Sequence, residues 1–361
     1  MARIRLGIIG INWPGRMHTE AFSRVPGVEI VAVSDLDPKR RAEYRSRYGL
    51  PNGSPIEEYG DYRDMLKNGE LDAVVIALPT AMHYRATLDC LKSGCHVLCE
   101  KPPTTTAREM GRICRAVSES GLTYMFARQS RFRPVVQASR KLVAQGRLGT
   151  PYYAEAKWIR CRGVPWGRGF TDRDKGGGVL LDLGVHVIDA AWFIMGNPEP
   201  VEAFASQHVA FKHHAPKDTI YTADDLTTGM IRFETGASIS FTVSFALNTA
   251  GAVTPTTEDP VAPGWQDLRV YGEKAGLDVT AGKIVSGNRR SVVARQVRLP
   301  VQKSIAPGPR PVEFVGQAKE FVRAARAGVS PVSSAEQALK LMKMLEALKN
   351  SAERGKSVSI R

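Results

Sequence analysis

Three residues of this chain combine chemically useful types with settings that would present them: Lys101, Asp182 and His186. Lys101 follows the apolar run His96-Val97-Leu98-Cys99 and Glu100, and precedes Pro102. A lysine at the carboxyl end of a short buried strand stands where a doubly wound parallel sheet holds its ligands. Asp182 and His186 lie four residues apart, a spacing that shares one helical face. Gly176-Gly177-Gly178 just ahead of them permits a close backbone approach to a ligand. Taken alone, the Asp-x-x-x-His spacing reads first as a helix-surface pair. Together with Lys101 it supplies the acid–base partners that redox chemistry on an alcohol needs.

The elements that must position these residues change character partway along the chain. Over residues 5–127 strand and helix signals alternate, as a parallel sheet requires. Strands are expected at 5–11, 28–34, 71–78, 96–99 and 122–127, the third apolar enough to be buried on both faces. Helices are expected after Gly15, after Asp37-Pro38 (an N-cap followed by an N1 proline), over 81–93 before Gly94, and over 106–120. Beyond Phe132 comes a helix at 134–145, then alternating segments at 152–160, 230–233, 237–245, 268–271 and 277–280. Glu234-Thr235-Gly236 is a hairpin signal. Residues 254–263 read as a loop, 306–311 as a connector, and 312–327 and 334–354 as closing helices. The fold class is therefore α/β. A Rossmann domain over 1–128 precedes an α+β domain over 129–361 with a large, mostly antiparallel open sheet, and the last helices pack back on the first domain.

The turn after the first strand reads Gly10-Ile11-Asn12-Trp13-Pro14-Gly15, a G-x-G-x-x-G frame with Asn12 in the middle glycine's place. The first glycine permits the tight turn, the second a close approach to a pyrophosphate, and the third close packing of helix on strand. Asn tolerates left-handed backbone better than most residues, so the turn survives the exchange. Asp35 ends the second strand about 20 residues on, where a carboxylate accepts the ribose hydroxyls of a dinucleotide. It also repels a 2′-phosphate, which favours NAD over NADP, although Lys39 and Arg40 lie close enough to weaken that preference. Leu78, Pro79 and Thr80 end the third apolar strand and face the nicotinamide half. His83 follows, in a place where a lone histidine is more often a capping or packing group than a catalyst. His83, Ile11, Trp13, Arg40, Glu100 and Lys101 complete the expected cofactor contacts.

Composition bounds the rest. A chain of 361 residues, 43% hydrophobic and 24% charged, suits two globular domains. Its apolar runs are broken short of the roughly 20 residues a membrane helix needs, and no cleavable leader is evident, so no membrane association is expected. Five cysteines in no pattern point to a reduced cytoplasmic protein, and Cys95 and Cys99 lack the second cluster a metal site needs. The net charge of +14 is carried by scattered groups rather than an arm or aromatic platform. It suits an anionic cofactor or substrate, with no nucleic-acid partner expected. Trp158, Arg160, Arg162, Trp166 and Arg168 precede the triple glycine, and Arg162 and Trp166 are candidate substrate contacts: aromatics offer a sugar an apolar face, and arginines fork onto carboxylate or phosphate.

The first turn, Asp35, His83, the run from His96 to Pro102 and the run from Gly176 to His186 together resemble the Gfo/Idh/MocA oxidoreductase family, which includes glucose–fructose oxidoreductase and inositol dehydrogenases. The similarity runs from Ile4 to the closing helix and includes Arg269-Val270-Tyr271-Gly272. The resemblance implies that Lys101 contacts the substrate hydroxyl and the nicotinamide, that Asp182 binds substrate, and that His186 is the catalytic histidine. Asn12 is the departure, and it bears on the pyrophosphate contact.

The implied reaction is hydride transfer between a secondary alcohol of a sugar or cyclic polyol and nicotinamide. His186 is the preferred base, because an imidazole titrates near about 6.5, whereas an ordinary lysine at about 10.4 must be shifted by about three units to serve. A lysine that stays charged instead stabilises the developing alkoxide. One alternative is transient oxidation in the service of glycoside cleavage or epimerisation, since oxidising one ring carbon acidifies its neighbour's hydrogen. Another is a non-catalytic, nucleotide-binding regulator, which has no use for all three residues. An open sheet in the second domain offers a face for self-association as a homodimer or homotetramer.

Overall fold

The computed structural model describes residues 3–49, 56–161, 163–166, 169–248, 265–287, 290–297 and 312–360. The loop expected at 254–263, the connector at 306–311, and the candidates Arg162 and Arg168 lie outside the described residues. The chain divides into two compact units, one of Met1–Phe132 with Pro309–Met342 and one of Arg133–Gly308 with Lys343–Arg361.

The first unit runs β1 (Ile4–Ile9), α1 (Trp13–Phe22), β2 (Val28–Ser34), α2 (Pro38–Tyr48), β3 (Glu57–Tyr59), α3 (Tyr62–Asn68), β4 (Ala73–Ile76), α4 (Thr80–Lys92), β5 (His96–Cys99), α5 (Ala107–Ser120) and β6 (Tyr124–Phe126). All six strands are parallel in the order β3-β2-β1-β4-β5-β6. The strand order reverses between β1 and β4, which is where such sheets bind dinucleotides. All four residues of β4, Ala-Val-Val-Ile, are buried, because helices cover both faces. Asp37 caps α2 through Lys39 N–H at 2.9 Å, Thr106 caps α5 through Glu109 N–H at 3.2 Å, and Gly121 ends α5 at φ +66°. β3 and α3 have too few apolar residues to be legible as sequence.

The second unit holds α6 (Pro134–Ala144), β7 (Pro151–Ile159), α7 (Val185–Met195), β8 (Pro200–His208), β9 (Leu226–Phe233), β10 (Ser238–Ser244), β11 (Trp265–Gly272), β12 (Gly276–Asp278), β13 (Lys283–Gly287) and β14 (Val292–Gln296). Helix α8 (Val312–Ala327) belongs to the first unit, where Phe314, Ala318, Phe321 and Val322 join Leu6, Ile8, Phe22 and Val33 in one core. Helix α9 (Ala335–Arg354) and β15 (Val358–Ser359) follow. The nine-stranded sheet runs β14-β13-β12-β11-β7-β10-β9-β8-β15, antiparallel except for the β7/β10 pair. Alternation decides its two faces. Ala154, Ala156, Ile239, Phe241, Val243 and Val270 are buried on the face against α7, and Tyr153, Glu155, Ser240, Arg269 and Tyr271 fall on the other. The helical run Arg173–Met195 has the length and hydropathy of a membrane span, and it is mostly buried within its own unit, as a core helix is.

Candidate active site

At the end of β1, Gly10 takes φ +85°, and a Cβ there would fall 2.6 Å from Ala77 O. A Cβ on Gly15 would fall 2.0 Å from Gly10 O, so this glycine is what lets α1 close on the strand. Asn12 has φ −72° and ψ −168°, ordinary extended backbone. The left-handed tolerance expected of it is not used; Asn12 is the N-cap of α1 and accepts Trp13 N–H at 2.9 Å. Pro14 has no N–H, so this helix start offers fewer donors to an anion than the glycine frame suggests. Trp13 is about half exposed, with its ring edge-on to Phe314 at 6.3 Å.

The Asp35 carboxylate is buried at the end of β2 and already bonded within the protein. Oδ2 accepts Ile11 N–H at 3.2 Å; Oδ1 accepts Asp37 N–H at 3.0 Å and Arg40 Nη1 at 3.3 Å. Arg40 also reaches Asp37 at 3.5 Å. Gly10, Gly15, Asp35 and the half-exposed Arg40 fit an adenine dinucleotide, with one carboxylate at the ribose end and a guanidinium beside it.

Beyond β4, Leu78 and Thr80 are partly buried and Pro79 is exposed. His83 is fully buried, so it is a support for the backbone rather than a direct cofactor contact: Nε2 lies 2.7 Å from Leu78 O and Nδ1 2.8 Å from Pro102 O. Burial pushes its pKa down, against the two carbonyls that would favour the charged ring. Lys101 is partly buried and is joined to Pro102 by a cis peptide bond. Glu100 behind it is buried; Oε2 accepts Lys101 N–H at 3.0 Å and Oε1 meets His18 Nε2 at 2.8 Å. Burial raises the Glu100 carboxyl, but the His18 hydrogen bond and the charges of His18 and Lys101 carry it below its ordinary value. His18 was not singled out from sequence, although a signal existed. Gly15, His18, Thr19 and Phe22 form the i, i+3, i+4, i+7 buried stripe of α1, with a histidine inside it.

In the second unit, Asp182 sits in a π-helical turn, Leu180–Gly184, that runs into α7, where His186 is in the first turn. Both side chains are partly buried. Such single π turns mark functional sites in many helices. Two of the three glycines ahead of them make close approaches to the protein itself, and Gly176 has open space where its Cβ would stand. A Cβ on Gly177 would meet three carbonyl oxygens at 2.5–2.7 Å, and Gly178 has φ +117° against the Asp224 carboxylate. Asp224 Oδ2 accepts Leu180 N–H at 3.0 Å and the Thr227 hydroxyl at 2.6 Å, and so anchors the start of the helical run. The Trp158 ring lies 5.7 Å from the His186 ring, Arg160 lies over Trp158 at 5.6 Å, and Trp158 Nε1 is buried without a hydrogen-bond partner among the described residues. Trp166 is half exposed and tilted on Tyr221 at 5.9 Å. Among the described residues no group of His, Cys, Asp and Glu could hold a metal ion, and no disulfide joins any two of the five cysteines.

A parallel sheet with this strand order, a glycine turn after its first strand and a carboxylate at the end of its second are the features of a dinucleotide-binding domain. The profile of the oxidoreductase family with an NAD-binding Rossmann fold (GFO/IDH/MocA) matches residues 4–128, and that of the GFO/IDH/MocA C-terminal domain matches residues 136–278. The chain belongs to the Gfo/Idh/MocA family and is an NAD-dependent oxidoreductase. It is 28% identical over 367 residues to D-glucoside 3-dehydrogenase of Escherichia coli (99% of this chain, 97% of that one). It is 28% identical over 321 residues to trans-1,2-dihydrobenzene-1,2-diol dehydrogenase of Bos taurus (85% and 90%). Among solved structures, levoglucosan dehydrogenase in complex with NADH and levoglucosan superposes with a TM-score of 0.83 at 19% identity, covering 99% of each chain, a likeness of fold.

Proposed function

We propose that this enzyme oxidises a secondary alcohol of a sugar, sugar derivative or cyclic polyol. The observation that carries the reading is Lys101, held at the carboxyl edge of the parallel sheet by Glu100 on one side, in a chain whose Asp182 and His186 open a buried helix through a π turn. Relatives named for D-glucoside, D-apiose and levoglucosan oxidation support the substrate class. Gly10, Gly15, the start of α1, Asp35 and Arg40 hold the adenosine and phosphate half of the cofactor. Leu78, Pro79 and Thr80 border the other half, and bound nicotinamide supplies the hydride acceptor.

His186 takes the hydroxyl proton as the alcohol is oxidised, because an imidazole is ready to do so near neutral pH. Lys101, beside Glu100, stabilises negative charge growing on the substrate oxygen. Asp182 orients the substrate, and the Trp158 face with Arg160 above it offers a stacking surface and a cation beside His186. Candidate substrate contacts Arg162 and Trp166 stand on the segment that follows. NADH formation across aldoses, glycosides, inositols and sugar acids tests the reading, with Lys101→Met and His186→Ala as controls. A chain that accumulates product without net NADH would instead be using transient oxidation. We further propose a cytoplasmic homodimer or homotetramer, the sheet face turned away from α7 being its contact.

A further inference from the structure

We propose that His18 is a positioning residue for the reaction, acting through Glu100 to hold the Lys101 peptide, with His83 fixing the same turn from its other end. The proposal rests on the reading of Lys101 as a catalytic residue. It starts from an expensive arrangement. Glu100 is a carboxylate in the interior of the first unit, and a buried charge is costly unless paired and hydrogen-bonded. An ionised carboxylate only accepts hydrogen bonds. His18 Nε2, 2.8 Å from Oε1, must therefore be the donor, and Lys101 N–H is the donor to Oε2 at 3.0 Å. One carboxylate thus joins helix α1 to the first peptide of the turn.

The ring of His18 has no freedom to do anything else. It is 0% exposed, with Phe314 edge-on at 5.3 Å and Phe22 at 6.4 Å, and its Nδ1 is buried without a partner among the described residues. At the other end of the turn, Pro102 O meets His83 Nδ1 at 2.8 Å, and His83 Nε2 meets Leu78 O at 2.7 Å. Glu100 N–H is itself bonded to Ile76 O at 2.8 Å. A neutral His83 ring has one N–H and donates to one of these two carbonyls. The peptide that carries Lys101 is tied to α1 through Glu100 and His18 and to the exit of β4 through Glu100 N–H, while neither histidine is exposed to touch a ligand. A core position needing only to be filled would be apolar. A histidine–carboxylate pair aimed at one N–H specifies direction, and misplacing a catalytic group by about an ångström costs about 10²-fold in rate.

The test measures kcat and the KM for NAD in the full chain, with methyl β-D-glucopyranoside or the sugar of highest turnover in the panel above. The variants are His18→Leu, His18→Gln, Glu100→Gln, the double His18→Leu/Glu100→Gln, and Lys101→Met. We expect His18→Leu to lower kcat by about 10²-fold with KM for NAD within about 3-fold. His18→Gln, whose amide can donate to the same oxygen, should recover to within about 5-fold, and the double variant should be no worse than its worse single, because both break one connection. A folded His18→Leu turning over within about 2-fold of the parent, while Lys101→Met is inactive, overturns the positioning role and leaves the site reading standing. Equal losses in Leu and Gln that track only the melting temperature overturn it too. Near-normal turnover in Lys101→Met overturns both. If His18→Leu does not fold, Glu100→Gln decides: unchanged kcat there overturns the proposal.

Discussion

The Asp224 carboxylate occupies the space that a side chain at Gly178 would need: a Cβ on Gly178 would fall 2.1 Å from Asp224 Oδ1, and the backbone there has φ +117°. The start of the helical run carrying Asp182 and His186 is therefore fastened by an acid far downstream, whose bond to Leu180 N–H spans 44 residues. Gly178→Ala should destabilise the enzyme by about 2–5 kcal/mol, combining strained backbone and overpacking. Asp224→Ala, which leaves Leu180 N–H and the Thr227 hydroxyl without their acceptor, should cost about 1–3 kcal/mol. Denaturant unfolding measures both; losses below about half a kcal/mol would contradict the anchoring role.

Cofactor choice should turn on Asp35 and Arg40. The Asp35 carboxylate is partly neutralised by Arg40 at 3.3 Å, so a 2′-phosphate meets a guanidinium as well as an acid. Arg40→Ala should lower kcat/KM for NADP by about 10-fold while leaving that for NAD within about 3-fold, as expected for one charge-assisted contact. Asp35→Asn should move the ratio toward NADP. Parallel steady-state kinetics with the two cofactors reads both, and a ratio unmoved by either change would contradict the assignment.

One buried and one half-buried imidazole, His83 and His96, should make stability fall on mild acidification. Burial lowers the pKa of His83 and of His96, whose Nδ1 accepts Thr123 N–H at 2.9 Å and so must be unprotonated. Below about 6.5 the unfolded chain takes up protons that the native state refuses, so stability is complete above that value and is lost as pH falls through it. His96→Gln keeps an acceptor for Thr123 and removes the titration. The stability advantage of the parent over this variant should shrink between about pH 7.5 and pH 5.5. A difference independent of pH would contradict the account.

The sheet face turned away from α7 carries Phe204 and Met230 side by side in register, 48% and 46% exposed, with Tyr153 stacked on Tyr271 at 5.6 Å. If this face joins copies of the chain, Phe204→Arg with Met230→Glu should shift the sedimenting species toward the monomer and spare the melting temperature. Sedimentation velocity at matched concentration is the check, and an unchanged oligomer would exclude the face.

What was legible in the sequence follows from local physics. Strand β2, strand β5 and helix α8 were readable to the residue, because continuous apolar runs and caps leave their mark within a few positions. The acidic, weakly apolar β3 and α3 left none. At the site, the types and order of Lys101, Asp182 and His186 were visible, but His18, Asp224 and the true partners of the triple glycine were not. His18 meets Glu100 across 82 residues and Leu180 meets Asp224 across 44, separations at which no periodicity carries information. The π turn is equally silent, since a four-residue spacing reads as an ordinary helix.

The most direct test of the central claim is NADH formation from the sugar and polyol panel by the parent, Lys101→Met and His186→Ala, each shown folded and still binding NAD. The account predicts turnover by the parent on at least one secondary alcohol and a loss of about 10²-fold or more in kcat in each variant. Near-normal turnover in both variants would contradict it.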